Sequence, residues 1–138
     1  EAIEIRLIAK GDDFNRGGPA YKKITPTIRD KIVDAAYSRL GCPYVWGGNG
    51  PNSFDCSGLV KWCYAQVGIS IPRTSGDQGN CGTKISVSQA QPGDILWKSG
   101  HVGIYIGNGQ YIHAPHSGEV VKISSVSSGK FTHAVRVV

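Results

Sequence analysis

Cys56 stands in NSFDCSGLVKWC at the point where apolar residues begin to recur at helical intervals. Leu59, Val60, Cys63, Tyr64 and Val67 follow it at i+3, i+4, i+7, i+8 and i+11, and Gly68 closes the pattern. Cys56 therefore opens a helix, whereas Cys63 sits on the apolar face and is expected to be an inert core thiol. A thiol attacks a carbonyl only as thiolate, and a helix N-terminus favours the anion through its dipole and unpaired N–H groups. Those N–H groups also suit the oxyanion that forms when a carbonyl is attacked. Simple packing is the alternative for Cys56, but Asp55, Ser57 and Gly58 make its surroundings polar and open. Ser57 is the weaker nucleophile, because no Gly-x-Ser-x-Gly elbow surrounds it. Asp55 suits either a plain N-cap or a substrate contact.

A thiol nucleophile needs a base, and HVGIYIGNGQYIHAP offers two. Val102, Ile104 and Ile106 alternate with His101, Gly103 and Tyr105; after the turn, Ile112 and Ala114 alternate with Tyr111 and His113. The apolar sets must share one face, since a slip of one residue sends one set to the wrong side. A two-residue Asn108-Gly109 turn pairs Ile104 with His113 and violates this. The pattern therefore predicts a three-residue Gly107-Asn108-Gly109 loop with a left-handed glycine, which pairs Gly103 with His113. In that register His101 and His113 are diagonal neighbours on one face, roughly 7–8 Å apart at the backbone. Gly103 leaves room for an imidazole. A single strand histidine is most often a surface residue; two on one face point to chemistry. Cys56, His101 and His113 then supply a nucleophile, a general base and acid, and an orienting group.

The elements that must hold these residues are legible in outline. TPTIRDKIVDAAYSRLG reads as an amphipathic helix with Thr27 as N-cap, Ile28, Ile32, Ala35, Ala36 and Leu40 on one face, and Gly41 as its stop. CPYVWGGNGPNSFD is a loop dense in glycine, proline and aromatics, a make-up that often carries function. From residue 84 the period changes to alternation, and KISVSQAQPGDILWKS, HVGIYIGNGQYIHAP, EVVKISSV and THAVRVV read as strands. Helices followed by antiparallel strands imply an α+β fold. Residues 1–26 differ: Ile3, Ile5 and Leu7 alternate with charged residues, and a Gly/Pro/Asp-rich loop follows. They read as a linker or accessory strand of a larger parent, with one domain over 27–138. A start at Glu1 and the absence of methionine point to a processed protein or an excised domain.

Composition removes several function classes. The net charge of +5 is compatible with an anionic partner such as a wall polymer. The basic residues are scattered, with no run longer than Lys22-Lys23 and no aromatic-basic alternation, so no nucleic-acid partner is expected. No apolar run is long enough to span a bilayer. Cys42, Cys56, Cys63 and Cys81 contain no CxxC pair and fit no zinc spacing. If one of them is a free nucleophile, at least one of the other three stays unpaired, which argues against a disulfide framework. Cys42, Cys81, His116 and His133 carry no assigned role.

YVWGG, FDCSGLV, IPRTSGDQ, PGDILW, HVGIYIGNG and YIHAP occur in this order, and together they resemble the NlpC-type family of papain-like cell-wall endopeptidases. The resemblance runs from about Ile28 to the C-terminus. It implies a papain-like α+β fold, with N-terminal helices against a C-terminal antiparallel sheet of about five to six strands. It implies a triad of Cys56 as nucleophile, His101 as base and acid, and His113 as orienting residue, with no metal or organic cofactor. It implies a peptidoglycan stem peptide as substrate, cut at the γ-D-glutamyl to diamino acid bond, and a secreted or surface-exposed monomer. By the same resemblance Tyr44 lies beside the nucleophile, Asp55 and Ser57 hold polar ends of the peptide, and Ser75 and Trp46 line the groove. Arg73 is a weaker candidate that suits loop anchoring by ion pairing. Amidase or acyl-transfer chemistry on another substrate, or wall binding without catalysis, are the competing readings.

Overall fold

The computed structural model describes residues 26–138, so the expected strand around Ile3–Leu7 and the loop after it lie outside the described residues. Helix α1 covers Ile28–Ser38. Thr27 caps it reciprocally: its hydroxyl accepts from the Asp30 N–H at 3.1 Å, and its own N–H donates to Asp30 Oδ2 at 2.9 Å. Ile32, Ala35 and Ala36 are buried, but Ile28 and Leu40 are exposed. Leu40 leaves the expected apolar face because the helix stops at Ser38, before Leu40 can complete the turn. Helix α2 covers Cys56–Ala65, starting at Cys56 as its spacing predicts, and buries Leu59, Val60, Cys63 and Tyr64. Leu59 and Val60 leave water completely, which stabilises the fold by roughly 1.5–3 kcal/mol each.

Helix α3 is one turn, Ser75–Gln78. The strands are β1 (Thr83–Ile85), β2 (Ile95–Lys98), β3 (His101–Gly107), β4 (Gln110–His113), β5 (Lys122–Ser125) and β6 (His133–Arg136), with a short helix α4 (Val126–Gly129) between the last two. They form one six-stranded sheet in the order β1-β6-β2-β3-β4-β5, antiparallel throughout. The α+β architecture and strand number match the sequence reading. Side chains alternate between the two faces. Ile95, Val102, Ile104, Ile112 and Val135 pack with α1 and α2 into the main core. Leu96, Tyr111 and Ala134, with Tyr105 and Phe131 against them, form a smaller cluster on the other face.

The β3–β4 hairpin departs from the expected loop. Gly107 pairs with Gln110, leaving a two-residue Asn108-Gly109 turn in which both φ angles are positive, 55° and 72°. That is the Asn-Gly combination that such turns favour. The apolar pairing survives because an irregularity between Tyr105 and Gly107 absorbs one residue, so Ile104 still faces Ile112 and Tyr105 faces Tyr111. The alternation thus predicted the face correctly and the loop length wrongly. A bulge satisfies both the turn chemistry and the core.

Asp94 ties these layers together at the start of β2. It is 0% exposed and accepts from Arg29 Nη2 (2.6 Å) on α1, from Arg136 Nη2 (2.8 Å) on β6 and from the Gln91 N–H (2.8 Å). Burial alone would raise its carboxyl, but the hydrogen bonds from Arg136, Gln91 and Arg29 outweigh burial and hold it below the usual carboxylate range. The Tyr64 hydroxyl on α2 donates to the adjacent Gly93 carbonyl.

Candidate active site

Asp55 is the N-cap of α2, so Cys56 is its first helical residue. Asp55 Oδ1 accepts from the Gly58 N–H at 2.7 Å, and Oδ2 accepts from the Gly47 N–H at 3.1 Å. The cap therefore also pins the Tyr44–Gly50 loop against the first turn of the helix. The approach is close enough that a Cβ at Gly58 would sit 2.0 Å from the Gly48 carbonyl oxygen, which only glycine tolerates.

The thiol's surroundings act in opposition. Burial, the largest influence, raises its pKa, and the Asp55 carboxylate adds to this. The N–H groups of Val102, Ser57 and Cys56 favour the thiolate but are outweighed, and the net shift is upward. Burial thus outweighs the helix terminus, and the balance favours the thiol over the thiolate. The Val102 contact matters for another reason. It sets the sulfur against the start of β3, one residue from His101.

His101 and His113 share a face and touch: His101 Nε2 lies 2.7 Å from His113 Nδ1. The line continues, with His113 Nε2 at 2.9 Å from Ser124 Oγ on β5. Two aromatic rings pack around the pair. Tyr111 lies 4.4 Å from His113 between centroids, and Phe131 stacks on His101 at 6.4 Å. Gly103 does leave space, but Tyr111 uses it: a Cβ there would meet the Tyr111 ring at 2.7 Å. His113 is 7% exposed. Burial, assisted by His101 and nearby Lys122, Lys98 and His116, pushes His113 down to about 3. Burial, with Lys98 and His116, pushes His101 down to about 4.

Both histidines fold neutral, with pKa values below the ordinary 6.5. Between those values the unfolded chain binds more protons than the folded one, so stability rises with pH across that window. Their contribution is fully present above about 6.5 and drains away as pH falls toward about 4 and then about 3. Denaturant midpoints should fall steadily from pH 7 to pH 4.5, and replacing both histidines by glutamine should flatten that slope. An unchanged slope in the double variant would show that the acid sensitivity lies elsewhere.

The remaining expected site residues fall into two groups. Tyr44 stands beside Cys56, its hydroxyl shifted upward by burial and then by Cys56 and Asp55. Trp46, on the same loop, is 85% exposed. Asp55 and Ser57 are tied to Arg73 instead: Arg73 Nη2 donates to Asp55 Oδ2 at 2.9 Å and Nη1 to Ser57 Oγ at 2.7 Å. The loop-anchoring ion pair considered for Arg73 is thus present. Ser75 begins α3, and its carbonyl accepts from Trp97 Nε1 at 2.8 Å. Gln78, at the end of α3, is buried and donates to the carbonyls of Ser57 (3.0 Å) and Pro72 (2.9 Å), holding residues 72–78 against the first turn of α2.

Sequence reasoning missed Ser124, Gln78 and Phe131. Ser124 had no local signal; only the β4–β5 register, which pairs Tyr111 with Ser124, brings it to the histidines. All four cysteines are free thiols. Among the described residues no group of three His, Cys, Asp or Glu side chains is arranged to hold a metal ion, and no helix is long and apolar enough to cross a membrane.

Known proteins resemble this chain in sequence and in fold. The NlpC/P60 family model matches residues 41–138. A "Probable endopeptidase" of Corynebacterium glutamicum is 52% identical over 108 residues, covering 76% of this chain and 52% of that protein. The chain thus spans about half the length of that relative. The crystal structure of the NlpC/p60 domain of the peptidoglycan hydrolase SagA superposes with a TM-score of 0.74 at 49% identity, covering 78% of this chain and 97% of that one. The peptidoglycan hydrolase RipB of Mycobacterium tuberculosis superposes with a TM-score of 0.75 at 34% identity, covering 80% and 65%. The chain therefore belongs to the NlpC/P60 family and has its papain-like fold.

Proposed function

We propose that the chain hydrolyses amide bonds in bacterial peptidoglycan stem peptides, at the γ-D-glutamyl to diamino acid bond, with Cys56, His101 and His113 as its triad. The observation that carries this reading is the 2.7 Å contact between His101 Nε2 and His113 Nδ1, at the strand end where the Cys56 sulfur meets Val102. The names of the relatives SagA and RipB as peptidoglycan hydrolases support the substrate class and a site of action in the cell wall.

The proton inventory follows from valence. For His101 Nδ1 to act as a base, its Nε2 carries hydrogen and donates to His113 Nδ1. His113 Nε2 then carries hydrogen and donates to Ser124 Oγ. Because thiol and imidazole are both neutral at rest, the proton leaves Cys56 for His101 as sulfur attacks the carbonyl carbon. The backbone N–H groups at the start of α2, with the Tyr44 hydroxyl beside them, face the developing oxyanion. Collapse passes the proton from His101 to the leaving amine and leaves a thioester. Water, deprotonated by His101, then releases the acid and restores the thiol. Trp46 and Ser75 line the groove. Asp55, Ser57 and Arg73 act as one unit with balanced charge that offers hydrogen bonds to the polar end of the peptide.

Mass spectrometry of fragments released from defined muropeptides tests the bond. A new free amine on the diamino acid and a new γ-carboxyl on D-glutamate are the expected products; products cut elsewhere in the stem would refute the bond assignment. His113→Ala should lower kcat by roughly 10²- to 10⁴-fold with a much smaller change in KM, because His101 loses the acceptor that sets its tautomer. A change confined to KM would make His113 a binding residue instead.

A further inference from the structure

The sheet carries a row of basic side chains at its histidine end. Lys98 on β2 lies directly opposite His101 on β3, and Lys122 on β5 lies directly opposite His113 on β4. Directly opposed residues of an antiparallel pair project to the same face. With the two histidines in contact, Lys98, His101, His113 and Lys122 therefore line up across four neighbouring strands.

The two lysines differ in what they hold. Lys122 Nζ is 3.3 Å from Glu119 Oε1, so its charge is balanced. Lys98 has no carboxylate partner among the described residues. Its ammonium stands 5.7 Å from the centroid of Phe131, the ring that stacks on His101. That contact fixes where the charge sits without neutralising it. Lys98 is only half exposed, and the positive charge opposes protonation of His101. An uncompensated ammonium on a half-buried lysine, beside a group that must accept a proton, opposes the imidazolium that forms during the reaction. An anion arriving with the substrate resolves the conflict.

We infer that Lys98 binds a carboxylate carried by the peptide on the leaving-amine side of the scissile bond. The assignment rests on the endopeptidase reading above, and the side follows from it. His101 delivers its proton to the leaving amine, so the residue bearing that amine lies against His101, and Lys98 is the cation directly opposite His101 on the next strand. The acyl side faces the Tyr44, Asp55 and Arg73 cluster around Cys56. The substrate class is a peptide whose first residue after the cut bears a free carboxylate.

Two stem tripeptides of L-alanine, γ-linked D-glutamate and a diamino acid, differing only in a C-terminal carboxylate or carboxamide, test this. Wild-type protein should cleave the acid with a kcat/KM roughly 10- to 100-fold above that of the amide, the range of one charge-assisted hydrogen bond. Lys98→Gln should lose that advantage, falling by the same factor on the acid and by less than about 3-fold on the amide, whereas Lys98→Arg should retain most of it. Equal loss on both peptides, or discrimination unchanged in Lys98→Gln, overturns the assignment. Equal cleavage of the two peptides by wild type overturns it as well. Failure of wild type to cleave either peptide, or equal cleavage by Cys56→Ala, overturns the endopeptidase reading itself and the assignment with it.

Discussion

Replacing Cys56 by alanine should lower kcat by at least about 10⁴-fold, and by up to about 10⁶-fold, while leaving the fold in place. The size follows from the role proposed for the thiol. Attack by sulfur divides amide hydrolysis into two easier steps, and no neighbour can substitute. Ser57, the adjacent hydroxyl, is buried and bound to Arg73 at 2.7 Å, so it is neither free nor aimed to replace the nucleophile. Cys63 is fully buried, and burial raises its thiol far out of the working range. The fold should persist because Cys56 is only partly buried and its helix is capped by Asp55, not by the thiol. The measurement is kcat on a defined muropeptide beside the thermal midpoint. A variant with wild-type midpoint and more than a tenth of wild-type kcat would remove Cys56 from the chemistry.

Asp94→Ala should destabilise the domain by about 3–5 kcal/mol, the range for removing one partner of a buried ionic group. For a domain of this size that is a fall of roughly 10–20 °C in thermal midpoint. The cause is the pair of guanidinium groups left behind. Arg29 and Arg136 converge on one carboxylate that is 0% exposed, so its removal deprives two partly exposed guanidinium groups of their shared counter-charge. The Gln91 N–H also loses its acceptor. Lys122 and Glu119 provide the contrast. That pair is 3.3 Å apart on the exposed surface, and Glu119→Gln should change stability by less than about 1 kcal/mol. Chemical denaturation of both variants at pH 7 decides the matter; a loss near 1 kcal/mol in Asp94→Ala would place the network with ordinary surface pairs. The asymmetry also explains how a site at the sheet's histidine end stays aligned. Asp94 locks α1, β2 and β6 together, and the helices and strands that bear Cys56 and His101 pack on that frame.

The start of α2 and the shared face of the two histidines were legible because both rest on local periodicity. Helical spacing from Cys56 to Val67 set where the helix begins, and alternation from His101 to Ala114 set which way the imidazoles point. The α+β class followed from the same change of period, and the number of strands from the family resemblance. The hairpin loop was misjudged because a bulge leaves no mark on alternation when the extra residue falls at the end of a strand. The balance at the thiol was not legible for a related reason. A helix N-terminus is visible in a sequence, but the burial that outweighs it at Cys56 is a property of the packed molecule.

What the amino-acid order determined by itself was the set of reactive residue types and the faces on which they lie. What only the tertiary structure decided was their partners. Ser124 meets His113, Lys98 faces His101, Arg73 joins Asp55 to Ser57, and Arg29 and Arg136 share Asp94. Each of these contacts joins residues from different elements. Side-chain period is a one-dimensional signal within an element, whereas register between strands and the docking of a loop on a helix arise only when the chain closes on itself.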